Sequence, residues 1–187
     1  VPTVNRWAVC QAQRDMRRGG VSGLARSAVA SGEDGLRVPR IEAAQVLWNR
    51  AACADWLAAR GEYGRALEAS GGPRLVQLDA WYHDVLPGLV AGRSPTWLSL
   101  DELVEVVQWK MHRGTYRARN LALVRQNTPD EVESASRAAF AAMPHPGTPI
   151  SKLSVLKGVG PATASAVLAA ARPDLYPFFD DVAAAAV

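Results

Sequence analysis

Two closely spaced glycines near the end of the chain are the residues whose spacing most clearly suggests chemistry. The run Leu156-Lys157-Gly158-Val159-Gly160-Pro161 joins two stretches whose apolar residues have helical spacing. Glycine adopts backbone angles that other residues resist, and proline suits the first position of a helix. The free N–H groups of such a turn and of the next helix can bind a phosphate. This run therefore predicts a contact with a nucleic-acid backbone that does not depend on base sequence.

Two adjacent carboxylates, Asp180 and Asp181, follow the second glycine at a distance of about 20 residues. A carboxylate beside a sugar can stabilise positive charge that builds up there, or it can orient an attacking water. The same two residues could instead cap a helix that begins at Val182. The sequence leaves both interpretations open and does not choose between the two aspartates.

A basic stretch between residues 110 and 125 lies upstream of the glycines and contains no acidic residue. Such a stretch suits contact with phosphates, although a solvated helix surface is the alternative interpretation. The residues that we expect to contact DNA are Lys110, Arg113, Arg117 and Arg119.

Residues 156–164, with the sequence LKGVGPATA, closely resemble the hairpin of the helix-hairpin-helix DNA glycosylase superfamily. Members of that family carry a catalytic aspartate at a fixed distance after the hairpin, and this position falls here on Asp180, with Asp181 as its neighbour. The stretch from Gly114 to Asn120 also resembles a family segment, a glycine and an aromatic residue followed by basic residues at a helix start. The resemblance covers about residues 100 to 181.

This resemblance implies a protein that binds double-stranded DNA and removes modified or mismatched bases. Family members that also cut the backbone carry a lysine where this chain has Ala162, so only base release is expected. The resemblance places hairpin contacts to DNA at Lys157, Gly158, Val159, Gly160, Ala162 and Thr163. The aromatic residues that could line a base pocket are Trp109, Tyr116 and Phe178.

The elements that must position these residues are predicted to be helical throughout. Alanine, leucine, valine and arginine dominate the composition and β-branched runs are scarce, which favours an all-α fold with a helix-hairpin-helix motif. Ser99 with Glu102 and Thr128 with Glu131 are typical of helix starts. We expect a loop-rich and helical region over residues 1–95. A glycosylase-like domain is expected over 96–187, with its C-terminal part incomplete because the family pattern continues past the aspartate.

Composition adds a few exclusions. Cys10 and Cys53 lack metal-ligand spacing, so neither a metal nor a cofactor is predicted, and their small number favours a reducing compartment. No apolar run is long enough to span a bilayer, and the net charge of +3 says little about partners. We expect a monomer in the cytoplasm, at the nucleoid, or in a nucleus.

Two other function classes fit parts of the sequence. A DNA-binding module without catalysis would use the same hairpin and would not need the aspartates. The spacing of Gly158, Gly160 and Asp180 also superficially resembles a dinucleotide-binding fingerprint. That fingerprint must follow a buried strand, whereas residues 150–157 have helical spacing, so an oxidoreductase is disfavoured.

Overall fold

The computed structural model describes residues 52–180 and residue 184, and all regular elements within them are helices. The fold is therefore all-α over the described residues, as the composition predicts. The chain divides into two compact units, one formed by residues 1–62 with 181–187 and the other by Tyr63–Asp180. Residues 1–51 of the region expected over 1–95, and also Asp181, lie outside the described residues.

The described part of the first unit is the helix α1 (Cys53–Gly61). The carboxylate of Asp55 accepts a hydrogen bond from the Ala52 N–H at 2.8 Å, which satisfies one of the free donors at the start of this helix. Cys53 is disulfide-bonded. The cellular location stays a prediction.

The second unit begins at Tyr63 and so includes residues 63–95 of the region expected over 1–95. Its first helix is kinked at Gly72, where φ is +62°, directly before Pro73. The helices of this unit are α2 (Tyr63–Ala80), a π-helical turn (Trp81–Val85), α3 (Leu86–Ala91), α4 (Leu100–Arg113), α5 (Ala118–Val124), α6 (Pro129–Ala141), α7 (Thr148–Leu153) and α8 (Pro161–Ala171).

The predicted starts of α4 and α6 are confirmed. The Ser99 hydroxyl accepts from the Glu102 N–H at 3.2 Å, while the Glu102 carboxylate accepts from the Ser99 N–H at 2.8 Å. Thr128 and Glu131 repeat this reciprocal pair, with distances of 3.2 and 2.6 Å. Each pair satisfies donors that a helix start leaves free, and this fixes where the helix begins.

The core of the second unit is built around α8. Residues 163–168 of this helix are all buried, and its alanines let neighbouring helices approach closely. The Tyr82 hydroxyl, from the π-helical turn, donates a hydrogen bond to the Ala166 carbonyl at 2.6 Å. Within the described residues, no helix is long and apolar enough to cross a membrane.

Candidate nucleic-acid interface

The segment Ser154–Gly160, here called the glycine turn, joins α7 to α8. Gly158 has a φ of +75°, in the left-handed region that favours glycine. A Cβ atom at this position would lie 2.8 Å from the Asn120 carbonyl oxygen and 2.8 Å from Cγ2 of Val124. Gly158 is therefore required twice, by its own backbone angle and by the close approach of α5.

The side chain of Asn127 links the glycine turn to the end of α5 by hydrogen bonds. Its Nδ2 donates to the carbonyl oxygens of Val124 at 2.8 Å and of Lys157 at 3.0 Å, and its Oδ1 accepts from the Lys157 N–H at 2.9 Å. Only 5% of Asn127 is exposed, so these bonds are shielded from competing water. The sequence analysis did not identify Asn127, although its amide ties the turn to the end of α5.

Gly160 differs from Gly158 and corrects the expectation that both glycines serve the turn's conformation. Its φ is −93°, which any residue can adopt, and a Cβ atom there would meet no atom within 4 Å. The N–H groups of Gly158, Gly160 and Ala162 donate no hydrogen bond to any described residue. Among residues 52–180, nothing requires a glycine at position 160, and the lack of a side chain there leaves open the surface beside these donors.

Of the other hairpin residues expected to contact DNA, some are exposed and some are buried. Lys157 is exposed, and its ammonium group lies 3.4 Å from the Gln126 carbonyl oxygen. Val159 is 5% exposed and packs into the core, so its side chain lies outside the expected interface. Thr163 is 7% exposed, and its N–H donates to the Gly160 carbonyl at 2.9 Å. The buried side chain of Thr163 is therefore removed from the expected interface, whereas half-buried Ala162 can stay in it.

The basic residues expected at DNA also divide. Arg117 and Arg119 are exposed at the start of α5, whose Asn120 backbone touches the position of Gly158. Lys110 is half-buried on α4. Arg113 is exposed, but its guanidinium also donates to Asp79 at 3.2 Å and lies 5.0 Å from the centre of the Trp109 ring. Its expected contact with DNA stays a prediction.

The aromatic residues expected to line a base pocket do not come together as a set. The Trp109 and Phe178 rings lie 5.2 Å apart, but Tyr116 is 55% exposed and packs on His112 instead. Trp109 is 2% exposed, and one face of its ring is stacked on Tyr82 at 3.6 Å. Trp109 is therefore a core residue rather than a platform on which a base could stack.

Asp180 ends a segment that runs back beside α8. The Tyr176 hydroxyl donates to the His145 carbonyl at 2.9 Å, and the Phe179 N–H donates to the Ser165 hydroxyl at 3.0 Å. Phe178 packs on Trp109 of α4 between these two contacts. The chain is thus held on both sides just before Asp180, which is half-buried.

A buried carboxylate that the sequence analysis missed lies against Trp109. Asp79 is 4% exposed, and its Oδ1 accepts from Tyr63 Oη at 2.7 Å, Trp109 Nε1 at 2.8 Å and Arg113 at 3.2 Å. These four residues are the Asp79 cluster. Its only sequence signal is an acidic residue placed on the apolar face that Leu75, Leu78 and Tyr82 define.

Tyr63 in this cluster, and Tyr82, which stacks on Trp109, both have a raised pKa. Burial, followed by the hydrogen bond to Asp79, raises the pKa of Tyr63 above its ordinary value of 10.0. Burial raises the pKa of Tyr82 further. Both hydroxyls therefore stay protonated and act as donors at neutral pH. Among the described residues, no group of histidine, cysteine and acidic side chains could hold a metal ion.

Comparisons of this chain with protein-family models, with curated proteins and with solved structures found no match.

Proposed function

We propose that this chain binds duplex DNA through the glycine turn and releases modified or mismatched bases, with Asp180 as the carboxylate that acts at the sugar. The observation that carries the binding part is the contrast between Gly158 and Gly160. A turn that served packing alone would need Gly158 but would tolerate a side chain at position 160. The open surface at Gly160 is what close approach of a phosphate would require.

The chemistry around that surface suits an anion. Three N–H groups lack a partner within the described residues, at Gly158, Gly160 and Ala162, and they lie at the start of the 11-residue helix α8. The partial positive charge of a helix N-terminus adds to their attraction for a phosphate. Lys157, Arg117 and Arg119 are exposed and would neutralise DNA phosphates. Because this neutralisation releases counterions from the DNA, binding should depend strongly on salt concentration.

The catalytic part rests on the resemblance to the glycosylase hairpin and on the way Asp180 is held. Phe178 and Phe179 attach the chain directly before Asp180 to α4 and α8. Lifting a base out of the stack costs a few kcal/mol. A fixed carboxylate facing the sugar would lower the barrier that follows by stabilising positive charge on that sugar.

Substitutions at position 160 test the binding part. Gly160→Leu should lower affinity for a fluorescent duplex by about tenfold or more, and Gly160→Ala by less, because a side chain there keeps the phosphate away from the N–H groups. Thermal unfolding should change little, since the new side chain meets open space. Gly88→Ala is the matched control, because its Cβ also meets nothing within 4 Å but lies on α3. Full affinity in Gly160→Leu would remove the turn from the proposal.

Base release from duplexes that each carry one damaged or mismatched base tests the catalytic part. Asp180→Asn should abolish release and keep duplex affinity, whereas Asp181→Asn should keep both. The reverse result would assign the role to Asp181. Salt-sensitive binding without release from any duplex of the panel would favour the alternative, a DNA-binding module without catalysis.

A further inference from the structure

Two successive peptide bonds of the glycine turn contain four polar groups, and three of these groups have a partner. In the peptide between Leu156 and Lys157, the carbonyl oxygen accepts from the Val159 N–H at 3.1 Å, and the N–H donates to Asn127 Oδ1 at 2.9 Å. In the next peptide, the Lys157 carbonyl oxygen accepts from Asn127 Nδ2 at 3.0 Å. The fourth group, the Gly158 N–H, donates to no described residue.

The direction of the Gly158 N–H follows from the hydrogen bond on the other side of the same peptide. The cis peptide bonds among the described residues lie elsewhere, so the bond between Lys157 and Gly158 is trans. In a planar trans peptide the carbonyl oxygen and the N–H point in opposite directions. Because buried Asn127 holds the Lys157 carbonyl oxygen, the Gly158 N–H points away from Asn127.

The N–H of Ala162 does not need such a holder. Ala162 is the second residue of α8, so the helix itself sets the direction of its N–H. Gly158 lies three residues before Pro161, outside that helix, so another group must set the direction of its N–H. Asn127 can do this because it is itself anchored: its Nδ2 also donates to the Val124 carbonyl oxygen at 2.8 Å, and only 5% of the residue is exposed.

We propose that Asn127 is a positioning residue for a DNA phosphate, which it serves by holding the Gly158 N–H in the direction from which a phosphate oxygen can accept it. This inference rests on the proposed function and assigns a role to a residue outside the hairpin. A donor whose direction is fixed before binding loses less conformational freedom when the phosphate arrives, and this raises affinity. The turn would then depend on the Asn127 amide as well as on its glycines.

Asn127→Asp tests this role, because pH switches the hydrogen bonds that its carboxyl group can make. The ionised carboxylate has no donor for the Lys157 carbonyl oxygen, whereas the protonated form has one O–H donor. Burial should raise the pKa of this carboxyl above the ordinary value of about 3.9. Fluorescence anisotropy with an undamaged duplex gives the affinity relative to the wild type at each pH, which removes the effect of groups that both proteins share. This relative affinity should be about tenfold below one at about pH 8 and should return toward one as the pH falls to about 5.

Gln126→Glu is the matched control, because it adds the same charge one residue away on an exposed side chain. Its affinity relative to the wild type should stay constant over this range of pH. Thermal unfolding at each pH shows whether the variants remain folded. A constant relative affinity for folded Asn127→Asp, or an equal pH dependence in Gln126→Glu, would overturn the inference.

The wild type offers a second test that needs no variant. In nitrogen-labelled protein, the amide proton of Gly158 should shift downfield when the undamaged duplex is added, as expected for a new hydrogen bond to phosphate. An unmoved Gly158 signal, with shifted signals from Gly160 and Ala162, would overturn the inference and leave the proposed function standing. A wild type that binds no duplex would instead overturn the proposed function, and this inference with it.

Discussion

The glycine turn and the Asp79 cluster arrange polar groups in opposite ways, one with main-chain groups and the other with side chains. In the turn the polar groups are main-chain N–H groups, and the protein contributes mainly the absence of side chains and one clamp from Asn127. In the cluster one buried carboxylate accepts hydrogen bonds from side chains of α2 and α4. A site made of backbone depends on a short run of sequence, whereas a site made of buried side chains depends on the whole core.

Gly158→Ala breaks the turn and should have the largest effect on stability. A left-handed backbone costs an alanine about 1–2 kcal/mol, and crowding in a packed region costs about 1–3 kcal/mol more. The Cβ atom would lie 2.8 Å from the Asn120 carbonyl oxygen, which belongs to backbone and yields little. We expect urea unfolding to show a loss of about 3 kcal/mol in the free energy of unfolding.

Gly160→Ala is the control for this loss, because it lies two residues away with an ordinary φ and open space around it. Its free energy of unfolding should stay within about 0.5 kcal/mol of the wild type. Equal losses in the two variants would mean that the two glycines do not differ as described, and the contrast on which the binding proposal rests would be lost.

The sequence predicted those parts of the fold that local chemistry determines. The starts of α4 and α6 follow from pairs three residues apart, Ser99 with Glu102 and Thr128 with Glu131. The turn between α7 and α8 follows from an equally short pattern, the two glycines before Pro161. Propensity and capping act within a few residues, so one sequence is enough to read them.

The missed and corrected residues depend on contacts that are distant in sequence. The donors to Asp79 come from residues 16, 30 and 34 positions away, so no local pattern could show them. The sequence did not show that Arg113 also bonds Asp79, because Asp79 lies on another helix. Gly160 looked like a conformational glycine because only the backbone shows that its φ is ordinary. A single sequence gives residue types, but it does not show which side chains the core brings together.

Glu102 is a second buried carboxylate, outside the Asp79 cluster, and it should make the stability of the protein depend on pH. The expected effect is smaller than that of Gly158→Ala. Burial alone would raise the pKa of Glu102, but hydrogen bonds from Arg93 and the Ser99 N–H outweigh it and lower the pKa below 4.5. A lowered pKa means that the ionised form stabilises the fold. This contribution is fully present above pH 4.5 and is lost as the pH falls through the folded-state value.

The wild type should therefore exceed Glu102→Gln in free energy of unfolding by about 1.5 kcal/mol at pH 7, and this difference should shrink below pH 4.5. Urea unfolding of both proteins at several pH values between about 3 and about 7 measures this difference in the free energy of unfolding. A difference that stays constant down to pH 3 would show that the bonds to Glu102 do not depend on its charge, contrary to the ion pair with Arg93.

Arg119→Ala should have the smallest effect on stability and a specific effect on DNA binding. Arg119 is exposed on α5, next to the residue whose carbonyl oxygen approaches Gly158. Each phosphate contact contributes about 0.9 to the slope of log affinity against log salt concentration, so losing one contact should reduce the slope by about that amount. Arg74→Ala is the control, because Arg74 lies on α2 and bonds Glu105 and Gln108 of α4. An unchanged slope for Arg119→Ala, or an equal change for Arg74→Ala, would mean that the charge beside the turn is general and that the backbone N–H groups hold the phosphate without it.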